Sequence, residues 1–249
     1  MKRIKFYALI LTVLLLFTCC APAGGTPITD GTAHRYMEDA YKIAVFHQSP
    51  PEKFWARDDR GNGSPFNCSF KRDNAKIEDG VLTLWLTATD SGYAGAEYRN
   101  VEKTPFGYYA VSMKAARCDG VISSFFIYCG RPWDEIDIEF LGNDTTKVQF
   151  NYYHNGQGNH EYLYDLGFDA SEEFHEYGFD WQPDSITWYV DGKPVYKATT
   201  DIPTAAGNLM VNLWNVADSH AYWAGKFDSN PLPVTAQYQW FGYQSADCA

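Results

Sequence analysis

Apolar and polar residues alternate with a period of two over much of the chain, and few stretches carry a helical period. Such alternation predicts β-strands, because successive side chains on a strand point to opposite faces. Val81-Leu82-Thr83-Leu84-Trp85-Leu86 reads as one strand, entered from the turn Asp79-Gly80. Residues 107–113, 121–128 and 148–153 read as three more. Residues 185–190 run into Asp191-Gly192, a strong hairpin signal. Residues 208–214 and 237–243 read as two further strands. Many short strands separated by turn residues predict an all-β sandwich of antiparallel sheets.

The most regular alternation is Trp133-Asp134-Glu135-Ile136-Asp137-Ile138-Glu139-Phe140. On a strand, Glu135, Asp137 and Glu139 share one face and Ile136 and Ile138 the other. Positions four apart lie about 13 Å apart at Cα, at ~3.3 Å per residue. Two glutamates leaning towards each other close that gap to several ångströms. A retaining glycosidase pair needs about 5–5.5 Å and an inverting pair about 6.5–9.5 Å. Carboxyls crowded on one face raise each other's proton affinity, which suits a general acid that must keep its proton near neutrality. Asp137 lies between the two glutamates, so titration belongs to the cluster. The spacing alone leaves two other readings open: the solvated face of a half-exposed sheet, and a site for a hard cation.

Composition narrows the setting. The chain has 249 residues, 45% hydrophobic and 17% aromatic, which is enough to build a core and excludes disorder. It carries 31 acidic against 20 basic residues, a formal charge of −11, with no basic cluster, so a nucleic-acid partner is excluded. The aromatic surplus suits neutral, flat-faced ligands such as sugars. Lys2, Arg3 and Lys5 precede an apolar run that closes in Ala21-Pro22-Ala23, which reads as a secretory signal peptide over residues 1–23. The run is too short to span a bilayer comfortably. Without it the chain keeps 17 basic and 31 acidic residues, a charge of −14. Cys19 and Cys20 leave a lipid anchor at the cell surface as the alternative to free secretion. Residues 24–40 read as a linker and residues 41–249 as one domain, with no internal repeat. Cys68, Cys118, Cys129 and Cys248 allow three pairings, among which the sequence does not choose. No Cys/His spacing suits zinc, and His154 and His160 sit in a Gly/Asn-rich loop, so no metal site is expected there.

The stretch WDEIDIEFLG at residues 133–142 resembles the catalytic strand of glycoside hydrolase family sixteen. DTTKVQFNYYHN at residues 144–155 resembles the family's bacterial lichenases, the endo-1,3-1,4-β-glucanases. Phe66-Asn67-Cys68, Phe179-Asp180-Trp181-Gln182-Pro183, Trp188-Tyr189-Val190-Asp191-Gly192 and Asn212-Leu213-Trp214-Asn215 extend the likeness in order along the chain. The resemblance implies a concanavalin-like jelly roll with a glucan cleft on its concave face, and a secreted, monomeric catalytic domain over residues 41–249. It implies hydrolysis of mixed-linkage 1,3-1,4-β-glucan by double displacement, with no cofactor required. Glu135 stands at the nucleophile's position, Glu139 at the acid/base's and Asp137 at the auxiliary acid's. Asn62, Glu97, Arg99, Phe126, Tyr128, Trp133, Asn151, Tyr153, Asn212 and Trp214 match substrate-binding positions. Ile138 alone separates Asp137 from Glu139, which groups the chain with lichenases and plant xyloglucan enzymes rather than laminarinases. A laminarin- or xyloglucan-active hydrolase or transglycosylase is the alternative, and a non-catalytic glycan-binding protein a third reading.

The chain also departs from that pattern. Arg60 replaces a tyrosine that many lichenases carry at the cleft edge. The loop Cys129-Gly130-Arg131-Pro132 is short, and Gly95 stands where several lichenases have a disulfide partner for Cys68. Gln239 falls where the family often has an aspartate ligand for a structural calcium, which weakens that site. Residues 216–224 diverge, so one end of the cleft is not predictable from the resemblance.

Overall fold

The structure is a computed structural model that describes residues 25–31, 34–46 and 51–248. The expected signal peptide, with Cys19 and Cys20, lies outside the described residues. The strands are β1 (Gly25–Pro27), β2 (Lys42–Val45), β3 (Phe54–Ala56), β4 (Ser69–Phe70), β5 (Ala75–Glu78) and β6 (Val81–Thr89). They continue with β7 (Gly92–Thr104), β8 (Gly107–Lys114), β9 (Val121–Tyr128), β10 (Glu135–Leu141), β11 (Lys147–Tyr153) and β12 (Tyr162–Asp165). The last are β13 (His175–Gln182), β14 (Ser185–Val190), β15 (Lys193–Ala198), β16 (Gly207–Asn215) and β17 (Val234–Ser245). Among the described residues helix is confined to α1 (Ala221–Ala224) and short 3-10 turns.

The strands form the two layers of a jelly-roll sandwich. One sheet runs β12–β11–β10–β9–β16–β7–β3, antiparallel throughout. The other runs β1–β15–β14–β13–β8–β17–β6–β5, with β2 beside the C-terminal part of β17. The β6–β7 hairpin joins the two sheets. Every strand read from alternation is present. The longest strand, β7, was not legible that way, because its centre is buried on both faces and shows no alternation. Part of the segment read as a linker lies on the second sheet. Gly25–Pro27 pairs with β15, Arg35 bonds Asp180 at 2.7 Å, and Met37 is buried.

The core fills the space between the sheets. Ile136, Ile138 and Phe140 of β10 and Val148, Phe150 and Tyr152 of β11 point into it. Phe140 meets Tyr177 of β13 edge-on at 4.9 Å, and Phe150 stacks on Trp188 of β14 at 5.6 Å. Two buried side chains of the second sheet also hydrogen-bond the backbone of the first. Trp188 donates its indole N–H to the Asp137 carbonyl at 3.2 Å, and Tyr238 donates its hydroxyl to the Ser124 carbonyl at 3.1 Å. The acidic strand is thus packed and bonded from beneath. Trp188→Ala removes both its packing and the bond to Asp137, and should cost about 3–5 kcal/mol in urea unfolding.

Candidate active site

Register decides what stands beside each acid. Glu135 lies opposite Tyr153 of β11 and Tyr128 of β9. Asp137 lies opposite Asn151 and Phe126, and Glu139 opposite Gln149 and Ser124. The rows continue across the sheet: Phe126 pairs with Met210 of β16 and that with Arg99 of β7, while Ser124 pairs with Asn212 and that with Glu97. Period-two alternation on adjacent antiparallel strands therefore places these side chains on the face away from the core. They line a cleft of about 1000 Å³. Asn62, Trp133 and Trp214 border the same cleft, so all thirteen residues singled out in the sequence meet there.

The walls are tied to the acids. Trp133, 45% exposed, stacks on Tyr153 with ring centres 4.8 Å apart and planes 14° from parallel. Its indole N–H donates to Glu135 Oε2 at 2.6 Å. Gln149 donates its amide to Glu139 Oε2 at 3.0 Å and accepts the Trp223 indole N–H at 3.0 Å. Ser124 donates to Asn212 Oδ1 at 2.6 Å. Asp134, buried beneath the loop, accepts backbone N–H groups from Asn155, Thr204 and Ala205 at 2.8–3.0 Å. That carboxylate anchors the entry to β10. At the far side Arg57 bonds Glu97 at 3.2 Å and Asn62 Oδ1 at 2.8 Å, and Arg99 lies 3.5 Å from Glu97. Asn62, Glu97 and Arg99 thus form one ionic cluster, with the Arg99 guanidinium 4.2 Å over the Trp55 ring.

Burial at the cleft floor pushes the Glu135 carboxyl up to about 7, although the Trp133 and Asp137 hydrogen bonds act to lower it. Burial and then the Glu135 charge push Glu139 up to about 8, against the Gln149 bond. Asp137 is held well above the ordinary range by burial and by the two glutamates. Near neutrality the cluster accordingly carries fewer negative charges than acids. The hydrogen bond between Asp137 and Glu135 favours the proton on Asp137 and the charged form of Glu135.

The chain matches the family model described as Glycosyl hydrolases family 16 over residues 62–242. It belongs to that family. A Ruminococcus flavefaciens protein named Xylanase/beta-glucanase is 49% identical over 82% of this chain. This chain spans only 27% of that protein and 61% of an Acetivibrio thermocellus beta-glucanase. A Paenibacillus polymyxa beta-glucanase is 43% identical, covering 98% of this chain and 99% of its own length. A solved prokaryotic beta-1,3-1,4-glucanase (lichenase) derived from a mouse hindgut metagenome superimposes with a TM-score of 0.77 at 48% identity, over 81% of this chain and 97% of its own.

Two departures from the family 16 pattern take physical form. The Cys68 thiol is free and buried, and burial pushes it up to about 11. A Cβ at Gly95 would lie 3.0 Å from Cys68 Sγ but would collide with the Leu213 carbonyl oxygen, so close backbone approach holds glycine there. At the calcium position, Gln239 Oε1 accepts the Ser112 hydroxyl at 2.8 Å, and its carbonyl accepts the Phe46 N–H at 3.3 Å. Among the described residues no three His, Cys, Asp or Glu side chains converge on a metal position.

Several lining residues were not singled out in the sequence. Ser124 and Gln149 share the alternation of Phe126 and Asn151 and could have been found by it. Arg57, Glu161, His220, Tyr222 and Trp223 also line the cleft, but lie outside that alternating set. One consequence concerns stability. The folded chain holds protons on Glu135 and Glu139 that an ordinary carboxyl near 4.5 would release. The unfolded chain then binds fewer protons, so stability is highest at low pH within that window and is lost as pH rises through about 7 and about 8. Glu139→Gln should lose less stability than the parent between about pH 5 and pH 8, measured by urea unfolding.

Proposed function

We propose that the chain is a retaining endo-β-glucanase that hydrolyses mixed-linkage 1,3-1,4-β-D-glucan by double displacement. The observation that carries this reading is the row Glu135, Asp137, Glu139 on the open face of β10, on the floor of an aromatic-walled cleft. The relatives named beta-glucanase and lichenase support the substrate class.

In the proposed mechanism Glu135 attacks the anomeric carbon as its carboxylate. The glycosidic C–O bond breaks, and the leaving oxygen takes the proton of Glu139. The product is a glycosyl ester on Glu135. Water then gives a proton to Glu139 and attacks the same carbon, the ester bond breaks, and both groups return to their first states. Two inversions leave the configuration retained. Raised values favour this division, since Glu139 must be protonated while Glu135 is ionised. Asp137 and Trp133 hydrogen-bond the Glu135 carboxylate and orient it. Around them Phe126, Tyr128, Trp133, Tyr153 and Trp214 offer ring faces to glucose, and Asn62, Glu97, Arg99, Asn151 and Asn212 offer hydrogen-bonding groups to its hydroxyls.

The same reading takes residues 1–23 as an export signal, residues 41–249 as the catalytic domain, and the enzyme as an extracellular monomer. Among the described residues no helix is long and apolar enough to cross a membrane.

Glu135→Gln should lower release of reducing ends from lichenan and barley β-glucan by about 10³-fold or more, with the folded state intact by circular dichroism. An active Glu135→Gln variant refutes the mechanism. Laminarin cut while both mixed-linkage glucans stay whole refutes the substrate. Gln149→Leu removes the N–H that favours ionised Glu139, so the alkaline limb of the kcat/KM profile should move to higher pH.

A further inference from the structure

The divergent segment between β16 and β17 closes one side of the cleft. Trp223 reaches down from it to Gln149, which itself holds Glu139, and its ring lies 6.0 Å from that of Trp214. The segment is therefore anchored over the Glu139 end of the acid row. Trp133 and Tyr153 stand at the Glu135 end, about 13 Å away along the strand at ~3.3 Å per residue. Next to Trp223 stands Tyr222, a residue 85% exposed. Among the described residues seven large hydrophobic side chains are exposed, and only Trp133 and Tyr222 of these line the cleft. His220 lines it too, with its ring 5.9 Å from that of Tyr222 and tilted by 33°. It is steadied by Ser219 Oγ at 3.0 Å from its Nδ1.

A tyrosine so exposed on a fixed rim gains nothing from the core. Its ring face suits the C–H face of a pyranose, and its hydroxyl can bond a sugar hydroxyl. We propose that Tyr222, edged by His220, is a sugar-stacking platform opposite Trp133. It binds a glucose unit of the chain away from the reacting bond and sets a preference for long glucans over short ones. The platform rests on the glucanase reading of the cleft, and deepens it by naming a specificity residue in the segment where the chain departs from its family's pattern.

The test compares Tyr222→Ala, Tyr222→Phe and Tyr222→Trp on barley β-glucan and on a short aryl β-oligoglucoside. Tyr222→Ala should raise KM for the polymer by about fivefold, with the change in KM rather than kcat and a much smaller effect on the short substrate. The Phe and Trp variants should restore most of the loss. An unchanged polymer KM in Tyr222→Ala overturns the proposal. So does an equal loss on both substrates that Phe or Trp does not rescue, which is the mark of a structural role. Electrophoresis through gels containing β-glucan separates this from the catalytic reading. If the parent protein cuts no glucan but is retarded by it, and Tyr222→Ala is not, the platform stands and the catalytic reading fails. If Tyr222→Ala is retarded as much as its parent, the platform fails.

Discussion

Ile136, Ile138 and Phe140 cannot leave the core without giving up buried apolar surface, worth about 2–5 kcal/mol for a large aliphatic side chain. Their packing against Tyr177 and their neighbours fixes the register and facing of β10. Glu135, Asp137 and Glu139 follow, because the alternate positions of a strand have nowhere else to point. Trp188 and Tyr238 strengthen the same constraint by bonding the backbone under the cleft. Like-charged groups are thereby held together against their repulsion, by energy drawn from the opposite face.

That confinement shapes the chemistry. Three carboxyls sharing a poorly hydrated floor cannot all ionise, so protons stay on the cluster into the neutral range. The neighbours then discriminate among the acids. Trp133 and Asp137 favour the charged form of Glu135, and Gln149 tempers the rise in Glu139. In the proposed mechanism this separates an attacking carboxylate from a protonated acid only four residues away. Both Trp133 and Gln149 also belong to the cleft walls, so substrate binding and proton affinity share residues.

The aromatic surplus has two destinations. Trp188, Phe140, Phe150, Tyr152, Tyr177 and Phe179 are core, interlocked between the sheets. Phe126, Tyr128, Trp133, Tyr153, Trp214, Tyr222 and Trp223 line the cleft. Composition counts both groups alike, since a ring covers apolar surface equally well against a neighbouring sheet or a sugar ring.

The local pattern was enough for the all-β class, the strands with clean alternation and the acid row, since each is a property of neighbouring residues. The strand β7 escaped that pattern because its centre is buried on both sides, and its Glu97 and Arg99 were reached only through family resemblance. Ser124 and Gln149 were legible in principle, as partners of Phe126 and Asn151 in the same alternation. The ionic cluster of Arg57, Asn62, Glu97 and Arg99 was not, because it brings together the loop after β3 and the strand β7, far apart in the chain. Nor was the rim of His220, Tyr222 and Trp223, whose place over Glu139 depends on one indole N–H reaching Gln149. The sequence by itself determined which side chains share a face, because the strand period is local. Only the tertiary structure decided which faces meet, which carboxyls lose water and which aromatic residues remain open to a ligand, because those depend on contacts between residues far apart in the chain.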